Sequence, residues 1–305
     1  MAKRYNRPPG KRSSDSRNSD SHSSGGRPSG GRSSGGRSSG GRSSGGRSFS
    51  GRDPEIKPWA RKGKDQLEGR NVVLEALQRK VRPVHRIAMD ERTKPHPKVE
   101  AICSLARERG VSIDRVSREL LDSVSLTGVH NGVIAEAEHL PGWTVNARLN
   151  YCFEQGVDPF FIVVDEVNYE HNLGAILRSA MGAGVHAVVI PTRRGKGVTP
   201  VVQRVAMGGA EEVPVIREGI PATLKVLKRA GIRIVAADMD GRPFYDVPMQ
   251  GSLAIVLGGE DKGVTHTIRD RCDDIVSVPL SHGLDSLNVS VTAGILMFEK
   301  VRQSR

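Results

Sequence analysis

Three short polar runs carry most of the side chains in this 305-residue chain that could do chemistry: DEVNYEHNLG (165–174), GGEDKG (258–263) and PLSHGLDSLN (279–288). Ser286, His282 and Asp285 could be written as a hydrolase triad, but they crowd into one loop and no nucleophile elbow is present. His282, His266 and the carboxylates near them lack the spacing of known ligand sets, so no metal is expected. No GxGxxG follows the first strand of this region and no GxxxxGK[ST] occurs, which removes the best support for a dinucleotide or P-loop reading. RRGKG (193–197) also lacks P-loop spacing; Arg193, Arg194 and Lys196 read as a basic loop able to touch an RNA backbone. What remains is a set of glycines (Gly258, Gly259, Gly283) that permit close backbone approach, one carboxylate (Glu260), one guanidinium (Arg178), and the polar groups of Asn172, Ser286 and Asn288. That set suits a polar organic cofactor held largely through backbone groups, beside a substrate derived from RNA.

These loops need a frame. Apolar runs at 160–164, 186–190, 213–216, 232–236, 253–257 and 275–279 read as strands, with helical patterns around 172–183, 199–207, 221–230, 264–271 and 287–302. Strands of this kind alternating with helices predict a parallel sheet covered on both faces, where ligands sit beyond the carboxyl ends of strands. Each polar run follows such an end. Ordinary turn chemistry explains any one of the three loops easily and all three together less well. Upstream, NVVLEALQRK has a helical stripe at Val72, Val73, Ala76 and Leu77. VHRIAM, VSIDRV and NGVIAEA read as strands, VEAICSLARERG as a helix closed by Gly110, and RELLDSV as a short helix. This gives a small α/β unit over 66–140, a partly helical connector over 141–157 and a second α/β unit over 158–305.

Charge divides the chain differently. The first 64 residues hold 16 Lys/Arg against 4 Asp/Glu, leaving 30 of each for the other 241, so the whole net charge of +12 belongs to the N-terminal tail. The tail repeats SGGR-like units with Arg27, Arg32, Arg37, Arg42 and Arg47 five residues apart. Gly and Ser offer almost nothing to bury, so residues 1 to about 65 are expected to be disordered. Evenly spaced guanidiniums on a flexible arm suit a polyanion, because each neutralised phosphate releases counterions. The bland alternative is a solubilising linker. Cys103, Cys152 and Cys272 lie far apart without a CxxC pair, which fits a reducing compartment. No apolar run approaches a membrane span and the start lacks a signal-peptide apolar region, so a cytoplasmic location is expected.

On these residues the chain resembles the SpoU/TrmH family of SPOUT methyltransferases. NLGAILRSA (172–180), IVLGGEDKGV (255–264) and VPLSHGLDSLNVSVTAGI (278–295) resemble its three motifs in order, and GGAEEVPV (208–215) resembles a further family segment with its acidic residue at Glu212. LEGRNVVLEAL and VHNGVIAEA resemble the start and end of the small ribosomal-L30-like domain of RlmB-type members, which methylate a guanosine ribose in 23S ribosomal RNA. Gly259 stands where Ser or Ala is usual, Leu280 for Met, Asn131 for Gln and Thr292 for Ala.

The resemblance implies a C-terminal α/β-knot, a deep trefoil with a mostly parallel sheet, working as a homodimer. It implies S-adenosylmethionine as cofactor, S-adenosylhomocysteine as product, no metal, and transfer to a ribose 2′-hydroxyl. Arg178, Asn172, Glu260, Ser286 and Asn288 would then be catalytic, and Leu257, Gly258, Gly259, Val278, Leu280, Leu287 and Asn288 would hold the cofactor. For Arg178 the plain alternative is a surface arginine in an ion pair; for Glu260 it is a helix cap; for Val278, Leu280 and Leu287 it is core packing. A tRNA substrate, or a non-catalytic ribosome-assembly factor on the same fold, are the competing functions.

Deleting residues 1–52 should weaken RNA binding and flatten its dependence on salt while leaving cofactor affinity unchanged. Binding isotherms over a salt series check this, and an unchanged slope would mean that the arginine repeats do not contact phosphate.

Overall fold

The computed structural model describes residues 59–166, 168–193, 196–259 and 263–305. The small unit runs β1 (Asp65–Glu68), α1 (Arg70–Arg79), β2 (Val84–Asp90), α2 (Pro97–Glu108), β3 (Ser112–Val116), α3 (Arg118–Val124) and β4 (Val133–Ala137). Its strands lie in the order β1-β4-β2-β3, with β4 antiparallel to both neighbours. After the connecting helix α4 (Val145–Glu154) come β5 (Phe160–Val164), α5 (Glu170–Ala183), β6 (Ala187–Ile190), α6 (Pro200–Ala206), α7 (Gly209–Glu212), β7 (Val215–Arg217) and α8 (Ile220–Arg229). The chain closes with β8 (Arg233–Pro243), β9 (Leu253–Leu257), α9 (His266–Arg269), β10 (Asp274–Ser277) and α10 (Val289–Gln303).

The large sheet has the order β10-β8-β9-β5-β6-β7, and all five pairings are parallel. Alternation along β5 divides its side chains between two cores. Phe160, Ile162 and Val164 pack with α5, α6 and α10, while Phe161 and Val163 pack with α4 and α8 on the other face. Continuous apolar strands therefore meant what they should: a sheet buried on both sides.

Differences from the sequence reading have local causes. Residues 59–65 do not belong to the tail. The Arg86 guanidinium lies 3.9 Å over the Trp59 ring, the Ala60 N–H donates to Gln66 Oε1 at 3.1 Å, and the Arg61 N–H and Nε donate to Glu136 at 2.7 and 2.8 Å. Burial would raise the Glu136 carboxyl, but the Arg61 hydrogen bonds and the Arg86 charge outweigh it and hold it at about 2. The edge strand β1 and the one-turn α7 went unpredicted because DQLE and GAEE carry no apolar period. The helix expected over 264–271 shrinks to His266–Arg269, and β8 runs on to Pro243 instead of stopping at 236.

A buried ion pair joins the two units. The Arg82 and Glu211 side chains retain only 1% and 3% of their exposure. Arg82 Nε donates to both Glu211 oxygens at 3.0 and 3.2 Å and Nη2 donates to the same carboxylate. Nη1 reaches Asp65 Oδ2 at 2.5 Å and the Glu138 carbonyl at 3.1 Å. Two glycines let α7 wedge in. Gly208 has φ +93°, and a Cβ on Gly209 would fall 2.5 Å from the Leu177 carbonyl oxygen on α5. Arg79 adds an outer contact, pairing with Glu75 at 2.9 Å and with Glu212.

Leaving such a charge buried without its partner costs about 3–5 kcal/mol. Glu211→Leu should therefore lose roughly that much unfolding free energy in urea, and Arg82→Met in the same chain should restore most of it. Equal loss from the double variant would mean that the pair matters only by packing.

Candidate active site

The carboxyl ends of β8, β9 and β10 lie side by side, and the segments leaving them surround a cavity of about 910 Å3. Ala237, Asp238 and Met239 come from β8; Leu257, Gly258 and Gly259 from β9; Val276 to Leu280 from β10; and Leu284 to Val289 with Thr292 complete the wall. Every residue predicted to hold a cofactor lines it: Leu257, Gly258, Gly259, Val278, Leu280, Leu287 and Asn288. Ser286 lines it too.

Backbone approach sets the shape. A Cβ on Gly258 would lie 2.0 Å from the Gly263 carbonyl carbon and 2.4 Å from the Val264 nitrogen, so no other residue fits there. Gly259 pairs with Gly263 in a short antiparallel bridge, and the Gly263 N–H donates to the Gly259 carbonyl at 3.1 Å. A Cβ on Gly259 would sit 3.1 Å from Glu166 Cβ and 3.2 Å from its Oε2, which gives a physical reason for Gly at this position. On the far wall, a Cβ on Gly241 would lie 2.4 Å from the Val276 carbonyl carbon, so β8 presses onto β10 where their register shifts.

Asn288 fastens the last loop. It is the N-cap of α10, its Oδ1 accepting from the Ser290 N–H at 2.9 Å and the Ser290 hydroxyl at 2.6 Å. Its Nδ2 donates to Asn172 Oδ1 at 3.1 Å, on the buried first turn of α5. The helix thus starts at Val289, two residues later than expected, because Asn288 caps it and Leu287 faces the cavity.

Not every predicted residue joins this wall. Arg178 is exposed on α5, outside the cavity lining, and its guanidinium has no hydrogen bond or ion pair among the described residues. It lies six residues after Asn172, about 240° around a helix at 100° per residue, so the two cannot share a face. The surface ion pair weighed as its alternative is absent among the described residues. Glu260, Arg194 and the tail arginines Arg27, Arg32, Arg37, Arg42 and Arg47 lie outside the described residues. Arg193 and Lys196 are exposed beyond β6, and Lys196 Nζ lies 3.3 Å from Glu170 Oε2. The Thr199 hydroxyl and, next, Lys196 hold the Glu170 carboxyl below the usual carboxylate range.

Asp238 and Met239 line the cavity but were not singled out, and Asp285, weighed only as part of a hydrolase triad, lines it too. DMDGRP after the fourth strand was a polar run of the same kind as the three chosen, and it was the available signal for Asp238. Arg269 Nη1 lies 3.4 Å from Asp238 Oδ1. No group of three or more His, Cys, Asp or Glu able to hold a metal occurs among the described residues.

Residues 159–298 match the SpoU rRNA Methylase family, and residues 66–143 match the RNA 2′-O ribose methyltransferase substrate binding family. The chain is 34% identical over 241 residues to YacO of Bacillus subtilis, assigned to the TrmH family of tRNA/rRNA methyltransferases, covering 78% of this chain and 96% of the relative. It is 40% identical over 199 residues to the 23S rRNA (guanosine-2′-O-)-methyltransferase RlmB of Escherichia coli, covering 64% and 81%. The fold is that of the SpoU methyltransferase AviRb from Streptomyces viridochromogenes, solved in complex with its cofactor AdoMet (TM-score 0.68, 22% identity, 80% and 92% covered). With the second and third family motifs lining one cavity at the carboxyl ends of a parallel sheet, and Asn172 of the first bonded to Asn288 in its wall, this chain belongs to the SpoU rRNA methylase family.

Proposed function

We propose that the chain methylates a ribose 2′-hydroxyl in RNA, that of a guanosine in 23S ribosomal RNA, with S-adenosylmethionine as donor and S-adenosylhomocysteine as product. The observation that carries this reading is the meeting of all seven predicted cofactor contacts around one 910 Å3 cavity. The residues fit the group. Gly258, with no side chain, lets the end of β9 pack on the Gly263–Val264 backbone and so shapes the wall; Leu257, Val278, Leu280 and Leu287 offer apolar walls for an adenine; and Asp238 and Asp285 suit a ligand bearing positive charge. The cofactor supplies an already activated methyl on a sulfonium, so the protein's task is alignment and charge. Alignment of this kind is worth roughly 7–11 kcal/mol of barrier.

Arg178 stabilises the developing alkoxide and grips the neighbouring phosphate, since a guanidinium is a poor base but a planar donor. The hydroxyl proton leaves to water or a carboxylate. Arg178 stands outside its own chain's cavity, which supports a site completed by a second copy. Next to it, Ser179 faces Gly294 of α10, between the exposed Val291 and Phe298 seven residues apart on that helix. This apolar stripe is the face on which a homodimer would close and bring Arg178 to the partner's cavity.

A trefoil knot built from the last two motifs is what the resemblance to the family implies for this fold. The small unit serves as the L30-like substrate domain, and the tail, whose composition disfavours order, as a disordered cationic arm. Ribosomal RNA is favoured over tRNA because the small unit matches the substrate-binding family and the RlmB enzymes are named for 23S rRNA. Such a substrate favours a cytoplasmic location.

Two substitutions test this reading. Gly258→Ala should raise the dissociation constant for S-adenosylmethionine at least about tenfold in calorimetry; unchanged affinity would move the donor elsewhere. Arg178→Lys should keep that affinity and lower kcat about a hundredfold, the scale of losing one preorganised donor. Full turnover by the lysine enzyme would exclude a role for the planar fork.

A further inference from the structure

At the edge of the small sheet where β1, β2 and β3 end and β4 begins, a second cavity of about 380 Å3 opens. Arg70, Asn71, His96, Lys98, Arg118 and Asn131 line it, so four basic side chains face inward and no carboxylate is among the lining residues. Its walls are built. Arg70 Nε donates to the Asn131 carbonyl at 2.9 Å, and Lys98 Nζ donates to Asn71 Oδ1 at 2.5 Å. Asn131 is held at φ +50° beside Gly132 at φ +79°. Behind Gly132 the buried Thr93 hydroxyl has no hydrogen-bond partner among the described residues.

Charge in this cavity lacks compensation. Helix α1 begins at Gly69 with no side-chain cap and carries Arg70 and Asn71, not a carboxylate, in its first turn. Helix α2 begins Pro97-Lys98, with the His96 Nδ1 accepting from the Lys98 N–H; its acidic residue, Glu100, is not among the lining residues. Unpaired N–H groups and the helix dipole already make such ends positive, where an anion is favourable and a cation is not. The nearest carboxylates hold Arg118 loosely: Asp90 at 3.8 Å and Asp122 at 3.9 Å, the latter already paired with His130 at 2.7 Å. The approach to α2 adds the exposed Arg92 and Lys94.

We propose that this cavity seats a phosphodiester of single-stranded RNA, with Arg70, Lys98 and Arg118 on the phosphate oxygens. The amides of Asn71 and Asn131 would contact the adjoining ribose or base, since each can both donate and accept. The inference rests on the reading of the chain as an RNA methyltransferase. It adds a second anchor for the same RNA, held at a set reach from the methyl-donor cavity because Arg82 and Glu211 join the two units.

The test uses the full chain and a labelled, mixed-sequence single-stranded RNA. The Lys98→Gln/Arg118→Gln variant should bind it about tenfold more weakly, with the salt slope reduced by about one to two units. Lys98→Arg should keep wild-type affinity, and calorimetry should give the double variant an unchanged affinity for S-adenosylmethionine, which shows that the large unit is intact. Unchanged RNA affinity and salt slope in the double variant would overturn the proposal. So would loss of inorganic phosphate binding with RNA binding intact, because the cavity would then serve free phosphate. Transfer of methyl from S-adenosylmethionine to 23S rRNA by the unaltered chain reads out the enzyme assignment separately. If that transfer fails while the double variant still loses RNA, the assignment falls and the cavity stands.

Discussion

Arg82 sits between the small and large units, and its donors are satisfied only when β1, the residue after β4 and α7 are all in place. A guanidinium removed from water tolerates no half-formed version of this contact, because each lost partner leaves desolvated charge behind. Orientation is what the pair supplies. The segment carrying Glu211 also lies against α5 through Gly209, whose close neighbours include the Leu177 carbonyl and the Arg178 nitrogen. A single one-turn helix thus references the sheet with the basic cavity and the helix that bears Arg178 to each other.

The cavity at the carboxyl ends of β8, β9 and β10 depends on missing side chains as much as on present ones. Gly258 and Gly241 lie where backbone meets backbone, and the wall at Gly259 is completed by Glu166, a residue from another loop. Around this the parallel sheet brings three strand ends together, and Asn288 ties the final loop to the first turn of α5. Rigid backbone and one amide pair therefore shape the site before any ligand arrives, which suits chemistry that needs alignment more than acid–base power.

Much of this was legible in the sequence, and the failures are informative. β5 and β9 fall where their Val/Ile runs placed them, because a strand buried on both faces leaves an unmistakable apolar block. Leu257 to Gly259, Val278, Leu280 and Ser286 to Asn288, which line the cavity, were readable because glycine spacing and motif order survive without a structure. Arg178 was legible as a residue and not as a position: the motif names it, but the helical phase takes it away from its own cavity. Glu211 was passed over for its neighbour Glu212, since adjacent carboxylates look alike until burial separates them. The basic cavity was invisible because Arg70, Lys98, Arg118 and Asn131 are far apart in sequence and meet only when three helices start at one sheet edge.

The central claim is that this chain places one methyl group on one ribose of ribosomal RNA. Mapping 2′-O-methyl positions across total RNA, from cells with the gene and cells without it, tests that claim most directly. The account predicts that a single guanosine of 23S rRNA loses its methyl group and that tRNA positions stay unchanged. Loss of a methyl in tRNA alone, or no loss anywhere, would contradict it.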